Sequence, residues 1–309
     1  MTRFSTAETI GFVGLGLMGR PMAEHLCGAG HHLVVHNRSQ PGLDALVALG
    51  AERVENPRQV AERVGTGVTI LMLTDTAAVR AVVEGEGKRP AYLAAARPGS
   101  LIIDMGSTGV EETRHWAAVC ATRGVGWLDA PVSGGQKGAV DRTLTIMAGG
   151  EKSCFDRAAP LLNLLGKTLT YIGPSGAGQA AKLANQIVVA STIAAIAEAF
   201  TLARAAGADL SAIRSALLGG FAASRILDIH GQRMIDRNFV PGGRGRSQLK
   251  DIVEAVRLGR SLGLHLPLLQ ANVDLWRRMV DVGLGDLDHS ALIQFYERGQ
   301  PDASTRDHP

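Results

Sequence analysis

Residues 9–36 leave little choice of fold. Residues 9–13 (TIGFV) form a short β-branched and aromatic run. Gly14, Leu15, Gly16, Leu17, Met18 and Gly19 follow at once. A helical pattern over 20–27 is closed by Gly28 and Gly30, and residues 32–36 (HLVVH) read as a second strand. Strand, glycine turn, helix and strand is the context a dinucleotide fingerprint requires. Gly14 permits the tight turn, Gly16 lets backbone approach a pyrophosphate, and Gly19 lets the helix pack close on the strand. The helix start then offers N–H groups and a partial positive charge to phosphates. The competing reading is a glycine-rich turn in an α/β fold with no ligand.

The end of the second strand bears on which dinucleotide is expected. A site selective for NAD places Asp or Glu about 20 residues past the glycines, to accept from the ribose hydroxyl. Here the sequence is His36, Asn37, Arg38, Ser39, with no acid. Arg38 can pair with a 2′-phosphate, and Asn37 and Ser39 can hydrogen-bond it, so NADP is favoured with NAD still possible. The alternative for Arg38 is a solvated surface side chain.

Further α/β units follow. Helices are expected at 41–50, 57–64, 77–83 and 110–123, and strands at 68–73, 100–104, 126–128, 144–148 and 168–172. This alternation predicts a Rossmann-type, mainly parallel sheet. Ligands of such sheets bind beyond the carboxyl ends of the strands. Leu73, Thr74 and Asp75 would sit there, as would Ser107 with Thr108, and Ser133 with Gly134 and Gly135. From residue 178 onward no strand is evident. Helices are expected at 210–218, 224–236, 247–261, 266–282 and 290–298, and residues 301–309 read as a frayed polar tail.

Residues 178–207 form one proline-free stretch rich in Ala, Leu, Ile and Val. As a helix it would span roughly 40 Å. Lys182 lies in its first turns, and Asn185 and Gln186 share its face at i+3 and i+4. A buried lysine beside amides is costly as structure and useful as chemistry. In hydride transfer the cofactor carries the redox step, and the protein must orient substrate and manage one proton. Lys182 can give that proton to a carbonyl oxygen or act as base in reverse. Ser133, Gly134 and Gly135 offer a hydroxyl and approachable N–H groups for a carboxylate. The alternatives are a snorkelling lysine and a plain turn.

With 309 residues, 46% apolar and 20% charged, the chain can bury about two domains. A net charge of +3 and 4% aromatics disfavour a nucleic-acid partner, although Arg244, Arg246 and Lys250 cluster. Three scattered cysteines make a disulfide framework or cysteine zinc site unexpected, and no metal is expected. These cysteines fit a reduced, cytoplasmic setting. Residues 1–10 show no signal peptide, and no unbroken apolar run of about 18 residues suggests a membrane span.

Four segments together resemble the β-hydroxyacid dehydrogenase family, which includes 3-hydroxyisobutyrate dehydrogenase and is related to 6-phosphogluconate dehydrogenase. They are GFVGLGLMG at 11–19, DAPVSGG at 129–135, GAGQAAKLANQ at 176–186 and LKD at 249–251. KLANQ at 182–186, DRNFVPG at 236–242 and GLGDLDHSAL at 283–292 are most similar to the tartronate semialdehyde (2-hydroxy-3-oxopropionate) reductase branch. The resemblance implies a Rossmann domain over 1–174 and an all-helical domain over 175–309, joined by a long helix at about 178–206. It implies a homodimer or homotetramer acting on a small carboxylate. Lys182 would be the catalytic acid/base, with Asn185 or Gln186 contacting the lysine or the substrate hydroxyl. Ser133, Gly134 and Gly135 would hold the substrate carboxylate, and Ser107 with Thr108 would lie near the nicotinamide. Lys250 from the helical domain would close over the cofactor, with Asp251 beside it. Two departures stand out. Residues 242–247 (GGRGRS) replace a stretch that carries aromatic and aliphatic residues in that branch, and Gly106 stands where serine is common. Imine reductases and non-catalytic cofactor-binding modules share the architecture but generally lack the lysine. 3-Hydroxyisobutyrate, L-threonate and L-serine dehydrogenases remain alternatives within the family.

Overall fold

The structure is a computed structural model in which residues 8–87 and 90–298 are described; the expected frayed tail at 301–309 lies outside them. The chain divides into two compact units, Met1–Lys182 and Leu183–Pro309.

In chain order the first unit contains β1 (Ile10–Val13), α1 (Gly19–Gly28), β2 (Leu33–His36), α2 (Pro41–Ala48), β3 (Glu52–Arg53), α3 (Pro57–Val64), β4 (Val68–Leu71) and α4 (Thr76–Val83). It continues with β5 (Leu101–Asp104), α5 (Val110–Ala121), β6 (Gly126–Asp129), β7 (Val132–Ser133), α6 (Gly135–Val140), β8 (Leu144–Gly150), α7 (Lys152–Leu162) and β9 (Gly166–Gly173). The sheet runs β3-β2-β1-β4-β5-β6-β8-β7, with β9 added on β8. Pairing is parallel from β3 to β6 and antiparallel where β8 meets β6 and β7.

The central strands read as unbroken apolar runs because both faces are covered. Ile10, Phe12, Leu33, Val35, Ile70 and Ile103 enter one core layer. Their neighbours Val13, Val34, Leu71 and Ile102 enter the other, with Trp116. Strand order reverses at β1, which has β2 on one side and β4 on the other. Such a reversal opens a crevice at the carboxyl ends, where the Gly14–Gly19 turn and the residues after β4 lie.

The long helix α8 (Ala177–Ala205) begins in the first unit and ends in the second. The second unit continues with α9 (Leu210–Leu218), α10 (Gln232–Ile235), α11 (Gly245–Ser261), α12 (Pro267–Met279) and α13 (Leu292–Arg298). Its core contains Phe200, Met234, Trp276 and Met279, all fully buried. Among the described residues its one β-type pairing is an isolated bridge between Arg244 and Asp288.

Three differences from the sequence reading have physical causes. Helix α7 was not expected, and Pro160 lies inside it, which ordinarily argues against a helix interior. The expected single helix at 224–236 contains a π-helical segment, Leu227–Gly231, and the one at 266–282 runs into another, Val280–Leu284; each breaks the 3.6-residue period. Residues 133–135, for which a plain turn was the alternative reading, hold the end of strand β7 and the start of α6.

By length and composition α8 could also cross a membrane: its most apolar 18-residue window has mean hydropathy 1.7. An unbroken-run criterion misses it, because a mean tolerates the polar residues that interrupt the helix.

Candidate active site

The glycine turn is shaped for close approach. Gly14 has φ +99°, and a Cβ there would fall 2.3 Å from the Met72 carbonyl oxygen. A Cβ on Gly19 would fall 1.9 Å from the Gly14 carbonyl oxygen. Gly16, by contrast, opens onto empty space, with nothing within 4 Å of its Cβ position. The turn is thus locked beneath and open above, as a backbone cradle for a pyrophosphate must be. Leu15 is buried, Leu17 is exposed and Met18 is half-buried.

Asn37 ties two loops together. Its Oδ1 accepts from Leu15 N at 3.0 Å, and its Nδ2 donates to Ser39 O at 2.8 Å and Ser39 Oγ at 3.1 Å. The side chain therefore braces the glycine turn against the loop after β2. Arg38 and Ser39 are both exposed there. After β4, Asp75 caps α4, accepting from Ala78 N at 2.9 Å on one oxygen and from Thr74 Oγ1 at 2.9 Å on the other. Leu73 beside them is half-buried.

The loop after β5 turns Thr108 inward. Its Oγ1 donates to Asp104 Oδ2 at 2.6 Å, and its N–H donates to Gln179 Oε1 at 3.1 Å. Thr108 thus anchors this loop, and Ser107 is the partly exposed residue of the pair. After β6 the chain passes through Val132 to Ser133, half-buried, and to Gly134 and Gly135, both exposed and with φ of +134° and +60°.

Lys182 is 9% exposed, and its Nζ donates to the Val132 carbonyl at 2.9 Å. The ammonium is therefore not snorkelling into solvent. It is held one residue from Ser133, beside the proposed carboxylate turn. Lys182, Asn185 and Gln186 lie on one stretch of α8 as expected. Asn185 Nδ2 donates to Gln186 Oε1 at 2.8 Å. Within the second unit, Gln186 Nε2 donates to Asp251 Oδ2 at 2.6 Å, and Gln248 Nε2 donates to the Gln186 carbonyl at 3.0 Å. Lys250 Nζ stands 3.0 Å from Asp251 Oδ1. Asp251 is thus buried between an amide and an ammonium.

The segment 242–247 is organised by Asp288. Asp288 Oδ2 accepts from Gly242 N at 2.9 Å and Gly243 N at 3.2 Å, and Oδ1 accepts from Ser290 Oγ at 2.7 Å. Burial alone would raise this carboxyl; His230, the charge of His289, Ser290 and the Gly242 N–H outweigh burial and hold it below the usual carboxylate range. His230 and His289 meet at 3.2 Å between their Nε2 atoms, and the two with Asp288 group possible metal ligands. Both Asp288 oxygens are already taken by donors, and Arg233 Nε lies 3.3 Å from one of them, so the cluster reads as a hydrogen-bonded brace. Arg244 and Arg246 share Asp286 at the surface, at 3.9 and 2.5 Å.

Asp129 and Gln179 lie inside the motifs at 129–135 and 176–186 with no role expected of them, and Gln248 falls between the segments 242–247 and 249–251. An aspartate ending a buried strand and a glutamine in the first turn of an apolar helix were the available signals.

Residues 9–173 match the family described as the NAD binding domain of 6-phosphogluconate dehydrogenase. Residues 176–296 match the family described as NAD-binding of NADP-dependent 3-hydroxyisobutyrate dehydrogenase. The chain is 44% identical over 288 residues to the 2-hydroxy-3-oxopropionate reductase of Escherichia coli (strain K12), covering 93% of this chain and 97% of that protein. It is 32% identical to the 2-(hydroxymethyl)glutarate dehydrogenase of Eubacterium barkeri, over 94% of this chain and 95% of that one. Among solved structures, the Mycobacterium tuberculosis 3-hydroxyisobutyrate dehydrogenase with L-serine superposes with a TM-score of 0.85 at 32% identity, covering 94% of this chain and 99% of that one.

Proposed function

Because this chain belongs to the 3-hydroxyisobutyrate dehydrogenase-like β-hydroxyacid dehydrogenase family, we propose that it reduces a small semialdehyde acid of the 2-hydroxy-3-oxopropionate class, using NADPH in preference to NADH and Lys182 as proton donor. It is an NAD(P)-dependent oxidoreductase that interconverts a small β-hydroxy acid and its carbonyl form. The buried Lys182 ammonium on the Val132 carbonyl, next to Ser133, carries the proposal.

The glycine turn fits the cofactor: it is closed under Gly14 and Gly19 and open over Gly16. Gly14, Leu15, Gly16, Leu17, Met18 and Gly19 would hold the pyrophosphate, and Arg38 with Ser39 the 2′-phosphate. The bound nicotinamide supplies the hydride in reduction and takes it in oxidation. Ser133 and the N–H groups of Gly134 and Gly135 bind the substrate carboxylate. Lys182 gives its proton to the carbonyl oxygen as that oxygen gains electrons, so one hydride and one proton turn C=O into CH–OH. In reverse, neutral Lys182 takes the hydroxyl proton. The Val132 carbonyl orients Nζ without competing for the role, since a carbonyl cannot donate.

The test is a panel of small semialdehydes, hydroxy acids and cyclic imines, run with NADPH and NADH and followed by nicotinamide absorbance. Preferential turnover of 2-hydroxy-3-oxopropionate with NADPH is the expected result. Turnover of cyclic imines alone, or NADPH binding with no turnover, contradicts it.

A further inference from the structure

Beneath the lysine lies a buried polar chain to which the proposed chemistry assigns nothing. Asp104, Asp129, Thr108 and Gln179 are each at most 2% exposed. Asp129, at the end of β6, accepts from Gly176 N at 2.8 Å on Oδ1 and from Gln179 N at 2.9 Å on Oδ2. Gly176 immediately precedes α8 and Gln179 lies in its first turn, where N–H groups have no intrahelical carbonyl to meet. A carboxylate some fifty residues earlier in the chain therefore caps this helix. Burial pushes the carboxyl up to about 6, while the N–H groups of Gly176, Gln179 and Gly178 pull it down. At neutral pH the carboxylate form, which can accept on both oxygens, prevails.

Gln179 carries the chain onward. Its Nε2 donates to the Gly106 carbonyl at 2.9 Å, and its Oε1 accepts from Thr108 N at 3.1 Å. Asp104 in turn accepts from Gly106 N at 3.1 Å and from Thr108 Oγ1 at 2.6 Å. The first turn of α8 is thereby pinned to the ends of both β5 and β6. The approach is close enough that a Cβ on Gly178 would lie 2.4 Å from the Met147 carbonyl oxygen.

The connections form a ring. From Asp129 the side chain leads to Gln179, three residues of helix lead to Lys182, and Nζ leads to the Val132 carbonyl at 2.9 Å. Three residues of backbone then return to Asp129. Lys182 is fixed at its base and its tip by the same short segment, which runs on into Ser133.

We propose that Asp129 and Gln179 are positioning residues for proton transfer, setting the place of the Lys182 ammonium and of the loop bearing Ser107 without touching substrate. The proposal rests on Lys182 being the acid/base. A displacement of about 1 Å at such a group can cost on the order of 100-fold in rate.

The test compares Asp129→Asn, Gln179→Met and Lys182→Ala with wild type in kcat, KM for semialdehyde, NADPH affinity and the pH–rate profile. Asparagine keeps one acceptor but turns an amide N–H toward the helix start; methionine keeps the volume of glutamine and the backbone N–H that reaches Asp129, but loses the side-chain bonds to Gly106, Thr108 and Asp104. Both are expected to lower kcat by roughly 10- to 100-fold, leave NADPH affinity unchanged and displace the alkaline limb of the profile. A purely structural role would reduce active protein and leave that limb in place. If Asp129→Asn fails to fold, Asp129→Glu, which keeps the carboxylate and shifts it by one methylene, takes its place. Lys182→Ala inactive with wild-type kcat and profile in both the Asp129 variant and Gln179→Met overturns the positioning role. Near-normal turnover in Lys182→Ala overturns the reading beneath it.

Discussion

Asn37 and Arg38 are adjacent, yet their work is divided. Asn37 spends its amide on Leu15 and Ser39, while Arg38 stays exposed at the position where a 2′-phosphate is expected. Arg38→Ala should therefore weaken NADPH by about 10-fold, the scale of one lost charge-assisted contact, and NADH hardly at all. Titration of both cofactors checks this, and equal losses would refute the 2′-phosphate role. At this scale the sequence was legible wherever residue type and local spacing suffice. Gly14 has the positive φ of a tight turn, Gly19 packs close on that turn, Gly16 is open, and Lys182 is buried as its apolar helix implied. Thr108 and Asn37 were not legible, because each is claimed by a partner that tertiary folding alone brings near. For Thr108 that partner is Gln179, 71 residues away.

At the scale of elements, helices and central strands follow from period and composition, and their bounds shift by a residue or a few. What local pattern could not show was insertion, as in the π-helical segments, and long-range capping, as at the start of α8. The turn carrying Asp288 is a further case. Its carboxyl is held below the usual range, so its stabilising contribution is present above about pH 4, the unfolded value, and is lost as pH falls further. Asp288→Asn should lower Tm at neutral pH, with a cost of about 2 kcal/mol or more from donors left unsatisfied. Its acid destabilisation below about pH 4 should be shallower than that of wild type. Thermal melts across pH check both; parallel curves for the two proteins would show that Asp288 does not carry this effect.

For the whole molecule, the sequence anticipated an α/β unit followed by a helical one, and the family matches extend over both. α8 keeps apolar residues at the surface of the second unit, with Val188 61% and Leu202 73% exposed. A groove of about 740 Å³ runs beside α8, lined by residues of α8, α12 and α13 that include Ala194, Leu268, Leu275 and Phe295. Exposed apolar area of this kind is expected to be covered in a homodimer or homotetramer. Sedimentation at working concentration checks it, and a monodisperse monomer would contradict it.

Lys182 is proposed to move the proton that accompanies hydride transfer. The most direct measurement is steady-state reduction of 2-hydroxy-3-oxopropionate by Lys182→Ala, with NADPH binding followed separately by cofactor fluorescence. The expected result is a fall in kcat of about 10²- to 10⁴-fold, the usual worth of a general acid, with NADPH still bound at wild-type affinity. A kcat within a few-fold of wild type would contradict the account.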